Sequence, residues 1–197
     1  MKRLLVSLST IIALSLPVLA GATTWNIDSD HSDVAFKVRH LMVSNVKGSF
    51  EKKSGVVTID DKDITKSKVS VSIDTASVNT NVAKRDDHLR GPDFFDVAKF
   101  PTMTFVSKKV AKASKGKLKV TGDLTLHGIT KEVVLDVDAL SKESKDPWGN
   151  TKSGTVATTK INRKDFGLVY NAVLETGGVA VGEEVAITLE IELIKAK

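Results

Sequence analysis

The chain has 197 residues, with 29 Lys and Arg against 24 Asp and Glu, 41% hydrophobic residues, 27% charged residues and no cysteine. That is the composition of one ordinary globular domain, too balanced in charge for a disordered acidic or basic chain and too poor in Gly and Pro for a low-complexity one. The missing cysteines exclude a disulfide framework, a thiol nucleophile, an iron–sulfur cluster and a thiolate zinc site. Any chemistry falls to oxygen and imidazole groups.

In chain order, Met1-Lys2-Arg3 is a short basic start, and the uncharged, mostly apolar run from Leu4 to Ala20 ends in small residues. This is the grammar of a cleaved export signal. Ala20-Gly21-Ala22 places the mature start at Thr23, with cleavage after Ala20 as the alternative, and implies a soluble periplasmic protein. Loss of Lys2 and Arg3 with that segment reduces the net charge from +5 to +3, so nucleic acid is not expected as a partner. Lysine dominates the remaining positive charge, and only Arg39, Arg85, Arg90 and Arg163 carry guanidinium. A planar fork is chosen over ammonium where it must meet a carboxylate, a phosphate or backbone carbonyls.

Period-two alternation, the mark of half-buried strands, then recurs along the chain. It begins at Val34, Phe36 and Val38, with His40 continuing the inward face, and returns near Val56 to Ile59 and at Val69, Val71 and Ile73. One helix interrupts the pattern, capped by Asn81, built from Val82 to Arg90 and stopped by Gly91-Pro92. Strand alternation resumes at Met103 and Phe105. From Lys117 to His127 it turns Leu118, Val120, Gly122, Leu124 and Leu126 inward, with Lys119, Thr121, Asp123 and Thr125 outward. Further strands follow at Val133, Leu135 and Val137 and from Gly154 to Ile161. A short turn spans Asn162 to Gly167, another falls at Gly177-Gly178, and the last strand points Val185, Ile187, Leu189, Ile191 and Leu193 one way.

About eight strands with polar outer and apolar inner faces must close on themselves or on a second sheet, because an open sheet leaves its edges unpaired. An all-β antiparallel barrel of eight strands with one short helix is the expected fold, and a sandwich the alternative. Such a barrel can be filled by side chains or keep room for one small ligand. Gly122, in the middle of an apolar face, marks a bend, a bulge or space for something else.

Chemistry is less well marked. His31, His40, His88 and His127 lack the spacing of a helical metal pair, and a joint His31–Asp–His40 site competes with simple hydrogen bonding at a barrel end. The charged run Arg85 to Arg90 with Asp93-Phe94-Phe95-Asp96 could hide a carboxylate pair, but in a capped helix solvent exposure, or bridges from the arginines to Asp86, Asp93 or Asp96, is the preferred explanation. Neither a nucleophile elbow nor a phosphate loop occurs. No catalytic residue, metal or cofactor is therefore expected.

Four segments resemble the signatures of the YceI family: DHSDVAFKVRHLMVSNVKGSF (Asp30 to Phe50), RDDHLRGPDFFD (Arg85 to Asp96), GDLTLHGITKEV (Gly122 to Val133) and INRKDFG (Ile161 to Gly167). Their order spans nearly the whole mature chain. The resemblance implies an exported bacterial, lipocalin-like barrel whose interior takes an isoprenoid lipid, such as a polyprenyl phosphate or isoprenoid quinone, or another long amphiphile. Transport, storage or sequestration would follow. An enzyme acting on a lipid or its head group, or an envelope stress protein with an incidental cavity, is the alternative. Phe36, Val38, Met103, Phe105 and Phe166 are expected in the lining. Arg85, Arg90 and Arg163, with His31, His40 and Asn162, are expected to gather at one end near a polar head. The oligomeric state, a dimer included, is left open.

Overall fold

The computed structural model describes residues 21–172 and 179–197. The leader expected over residues 1–22 lies almost wholly outside them, as does the turn at Gly177-Gly178. The described elements run β1 (Ala22–Ile27), β2 (Asp33–His40), β3 (Ser44–Phe50), β4 (Lys53–Asp60), β5 (Lys68–Asp74), β6 (Val78–Asn79), α1 (Ala83–Arg90), β7 (Thr102–Lys112), β8 (Leu118–Leu126), β9 (Ile129–Val137), β10 (Ser144–Lys145), β11 (Thr151–Asn162) and β12 (Val181–Lys195).

These segments build a closed, eight-stranded antiparallel barrel, because three of its walls are each made of two strands in succession. β1 and β2 lie end to end along the same edge of β12: Ile27 opposes Leu193, and Asp33 opposes Glu190. β4 and β3 follow them on the next edge, and β5 and β6 on the one after. β7, β8, β9, β11 and β12 complete the ring, which closes where β11 pairs β12 from Lys152 opposite Ile194 to Asn162 opposite Glu184. That closure decides for the barrel over the sandwich. Leu118, Val120, Leu124, Leu126, Val185, Ile187, Leu189 and Ile191 all face the interior, as their alternation requires. Lys119 reaches Asp136 across the outer face, a solvated pair that adds little stability.

Local chemistry explains the corners. The β8–β9 hairpin turns on His127 (φ 52°) and Gly128 (φ 73°), the two successive left-handed residues of a tight turn that matches strand twist. Gly122 leaves space for a ring: a Cβ there would lie 2.5 Å from Cζ of Phe105. The strand opposite is also irregular, with a register shift between Ser107 and Lys109.

The helix starts differently from the expectation. It begins at Ala83, and Asn81 does not cap it, since its backbone is left-handed (φ 61°) and its amide is tied to Oδ1 of Asn79 at 2.8 Å. Asp86, buried in the first turn, does the holding instead. Its carboxylate accepts the Thr80 amide at 2.9 Å and the Thr80 hydroxyl. Gly91 ends the helix by donating its N–H to the His88 carbonyl.

The break between β1 and β2 is fastened to β12 from both sides. The Asp28 amide donates to the Glu192 carbonyl at 2.9 Å, and the Glu192 amide donates to the Ser32 hydroxyl at 2.9 Å. On the same spot the Asp28 carboxylate meets Lys152 Nζ at 2.7 Å and His31 Nδ1 at 2.9 Å, while Lys152 also reaches Glu192 Oε1 at 2.7 Å. Burial pushes the Asp28 carboxyl up, but the hydrogen bonds and charges of Lys152 and His31 overcome this and hold it at about 2. A depressed carboxyl stabilises the fold above its ordinary value near 3.8 and loses that contribution as pH falls through about 2. Asp28→Asn should therefore lower stability at neutral pH by about 2 kcal/mol. It should also flatten the acid limb of the profile between roughly pH 4 and pH 2 in urea titrations. An unchanged acid limb would remove this ion pair from the fastening of the break.

Candidate ligand-binding site

Inside the barrel runs a cavity of about 510 Å³, within the range of small-molecule sites. Every wall contributes inward apolar side chains to it. Ile59, Ile64, Val137 and Leu140 close the end remote from α1, and none of them is exposed. The exposed residues of the lining are Arg39, His88 and Tyr170. The cavity thus meets solvent at the end covered by α1.

One helix face builds half of that opening. Arg85, His88 and Leu89 stand at i, i+3 and i+4 and all border the cavity. His88 Nε2 lies 3.0 Å from Asp93 Oδ2, and its ring meets Phe94 and Tyr170 edge-on at centroid distances of 5.0 and 5.1 Å. Arg85 donates Nε to the Thr80 hydroxyl at 2.6 Å and Nη2 to the Thr80 carbonyl at 2.9 Å. Its Nη1 has no hydrogen-bond partner among the described residues. Opposite, Asn171 ties the Tyr170 segment to β12, with Nδ2 donating to the Val181 carbonyl at 2.8 Å, and Val181 in turn opposes His40. Lys53 also borders the cavity, but its ammonium turns to the Glu51 carbonyl.

The residues expected at the site separate into two groups. Phe36, Val38, His40, Arg85, Met103 and Phe105 border the cavity. Phe166 does not; only 2% exposed, it packs into the apolar cluster of the wall with Leu126 and Leu168. Asn162 is exposed and spends its carbonyl oxygen on the Lys164 amide, starting the short turn Arg163–Phe166. His31 sits on the outer wall at the β1–β2 break, far along the barrel from Asn162. Nor is the cluster it shares with Asp28 and Glu192 open to a metal, because the Lys152 ammonium already joins the two carboxylates.

The arginines explain the remaining differences. Arg163 touches the cavity, yet its guanidinium is consumed by backbone: Nε donates to the Gly182 carbonyl at 2.8 Å, Nη2 to that of Val181 at 3.2 Å, and Nη1 to that of Leu168. Burial pushes this guanidinium down from its ordinary value, against the pull of the Glu183 charge. Arg90 is outside the lining and donates to the carbonyls of Ala76 and Val78 at 2.8 and 2.9 Å, with Asp87 at 3.1 Å. Asp86, Asp93 and Asp96 are held by Thr80, His88 and Lys99 rather than by an arginine. Arg39, His88, Leu89, Phe94 and Tyr170 were not expected in the lining. For the helix the signal was available, since Arg85, His88 and Leu89 have the spacing of one face. Tyr170 had none, because it follows an irregular turn.

A closed antiparallel barrel with an apolar interior, open beside cationic and aromatic side chains, is the class of fold that these observations define. The chain belongs to the YceI-like family, whose domain model matches residues 25–193. It is 43% identical over 168 residues to a UPF0312 protein of Vibrio parahaemolyticus, covering 84% of this chain and 88% of that one. The solved YceI protein of Campylobacter jejuni superposes with a TM-score of 0.67 at 35% identity, over 81% of this chain and 90% of that one. A polyisoprenoid binding domain from Saccharophagus degradans shares the fold, with a TM-score of 0.63 at 18% identity over 88% of this chain and 99% of the other.

Because their forks are spent on carbonyls, Arg90 and Arg163 should act on stability. Arg163→Ala should cost on the order of 3 kcal/mol and Arg90→Ala roughly half of that, from the charged hydrogen bonds lost. Thermal melts test the pair, and wild-type melting temperatures in both variants would contradict a scaffolding role.

Proposed function

We propose that the protein binds one long apolar chain of the isoprenoid class inside its barrel, with the polar head at the α1 end, to transport, store or sequester it. The observation that carries this reading is the polarity of the cavity: apolar along its length, and bordered by Arg39, His40, Arg85 and His88 where it meets solvent. The likeness in fold to a polyisoprenoid binding domain supports the class of ligand. An isoprene unit has five carbons. At about 0.8 kcal/mol per buried carbon group, each unit contributes roughly 4 kcal/mol gross, before the cost of ordering a flexible chain. The basic, apolar, small-residue order of residues 1–22 supports export and a periplasmic location.

Arg85 is the head-group donor in this reading, because its Nη1 is uncommitted at the opening while its other nitrogens fix the guanidinium plane on Thr80. A polyprenyl phosphate would give it a charge-assisted partner; a quinone would use it through a carbonyl oxygen.

Native mass spectrometry of protein purified from the periplasmic fraction should show a copurified apolar mass. Leu124→Lys, which sets an ammonium in the cavity wall, should abolish that mass or the fold. Thr125→Lys, on the outer face, should preserve both. An empty wild-type barrel that also refuses added polyprenyl phosphate and quinone would defeat the proposal.

For the head group, Arg85→Ala should weaken binding of polyprenyl phosphate by roughly 10- to 100-fold and leave the uncharged polyprenol nearly unaffected. Equal losses for the two ligands would assign Arg85 to the scaffold.

A further inference from the structure

The tip of the β2–β3 hairpin is built against the usual rules. Leu41, Met42 and Val43 are consecutive, apolar and 40%, 52% and 76% exposed. Leu41 and Met42 have left-handed backbones (φ 49° and 61°), a conformation that L side chains resist. The tip stands at the cavity opening, since the Leu41 amide donates to the Ala180 carbonyl at 2.8 Å and Ala180 donates to Ala172 at 2.9 Å. Beside it Val169 is 63% exposed and Tyr170 is 37% exposed. An apolar rim therefore continues the apolar cavity outward.

Below the tip, the outer face of the same hairpin is basic. Lys37 and Lys47 are directly opposed across β2 and β3, and Arg39 stands opposite Asn45 on the same face. Like charges in that register destabilise a strand pair. Among the described residues no carboxylate lies within ion-pair distance of these three, whereas Lys117, Lys119, Lys160 and Lys164 each have one and Lys108 has two. Arg39 donates to the Met42 carbonyl at 2.7 Å, which joins the charge to the tip.

We infer that this hairpin docks the open end of the barrel onto an anionic lipid bilayer, with Leu41, Met42 and Val43 entering the interface and Lys37, Arg39 and Lys47 meeting lipid head groups. Exposed apolar residues flanked by cations and a tyrosine suit an interface where one side is apolar and the other wet. The inference rests on the proposed lipid cargo for its purpose, since a chain leaving a bilayer at this point reaches the cavity without crossing water. The docking itself is measurable without cargo.

Cosedimentation of the processed, exported protein with vesicles of phosphatidylcholine containing about a third phosphatidylglycerol should show binding that falls with salt and is weak on pure phosphatidylcholine. Val43→Asp should reduce the bound fraction at least about tenfold, the effect of placing a charge among lipid. Lys47→Gln should reduce it roughly fivefold, one interfacial charge, while leaving the melting temperature equal or higher because it relieves Lys37. Both variants should still take up polyprenyl phosphate delivered without vesicles. Wild-type protein that ignores anionic vesicles, or a Val43→Asp variant that binds them as well as wild type, would overturn the inference and leave the tip to a protein partner. Docking without any cargo uptake would instead keep this inference and sink the lipid-binding reading.

Discussion

The break at residues 28–32 is the constraint on which the barrel depends. β12 is long enough to need two neighbours in succession on one edge, and β1 and β2 serve as that pair only if the chain stays attached across the break between them. The backbone bonds of Asp28 and Ser32 to Glu192 keep it attached, and the ammonium of Lys152 neutralises the carboxylates drawn together there. The chain breaks again between β3 and β4 and between β5 and β6, so the next two walls are likewise made of two strands in succession.

Arginine carries a second structural role. Arg39, Arg85, Arg90 and Arg163 each reach backbone carbonyls in loops or at strand ends, of Met42, Thr80, Ala76 and Val78, or Leu168 and Gly182. Loops around an opening leave such carbonyls without strand partners, and a fork that donates in two directions can satisfy two of them at once. Arg39 and Arg85 both border the cavity with guanidinium nitrogens uncommitted among the described residues, and Arg85 differs in having its fork fixed on Thr80 by two of its nitrogens.

Strand faces were legible in the sequence because alternation in β8 and β12 has only two solutions, and burial selects one. Leu124 and Ile187 could be assigned inward without knowing any partner strand. The helix was also legible, although its cap was not: nothing in the order Thr80-Asn81 tells that the asparagine adopts a left-handed backbone and that Asp86 turns back to Thr80. Site residues were harder for the same reason. Phe36 borders the cavity as its strand alternation requires, but Phe166 lies in the short turn after β11, where no alternation says whether a ring fills the wall or borders the cavity. His31 belonged to a family-like segment, which says nothing about which side of the wall its side chain takes.

A cavity of about 510 Å³ is also an absence of packing. Volume left unfilled in an apolar interior forgoes packing contacts, and the stability of an ordinary domain is small enough for that loss to matter. Anything that fills the barrel is then a folding ligand as well as a cargo. On the proposed function, the vacant form would open more often and be cut sooner by proteases, while the occupied form would endure. The abundance of the protein would accordingly follow the supply of what it carries, with no regulator needed beyond its own hollow core.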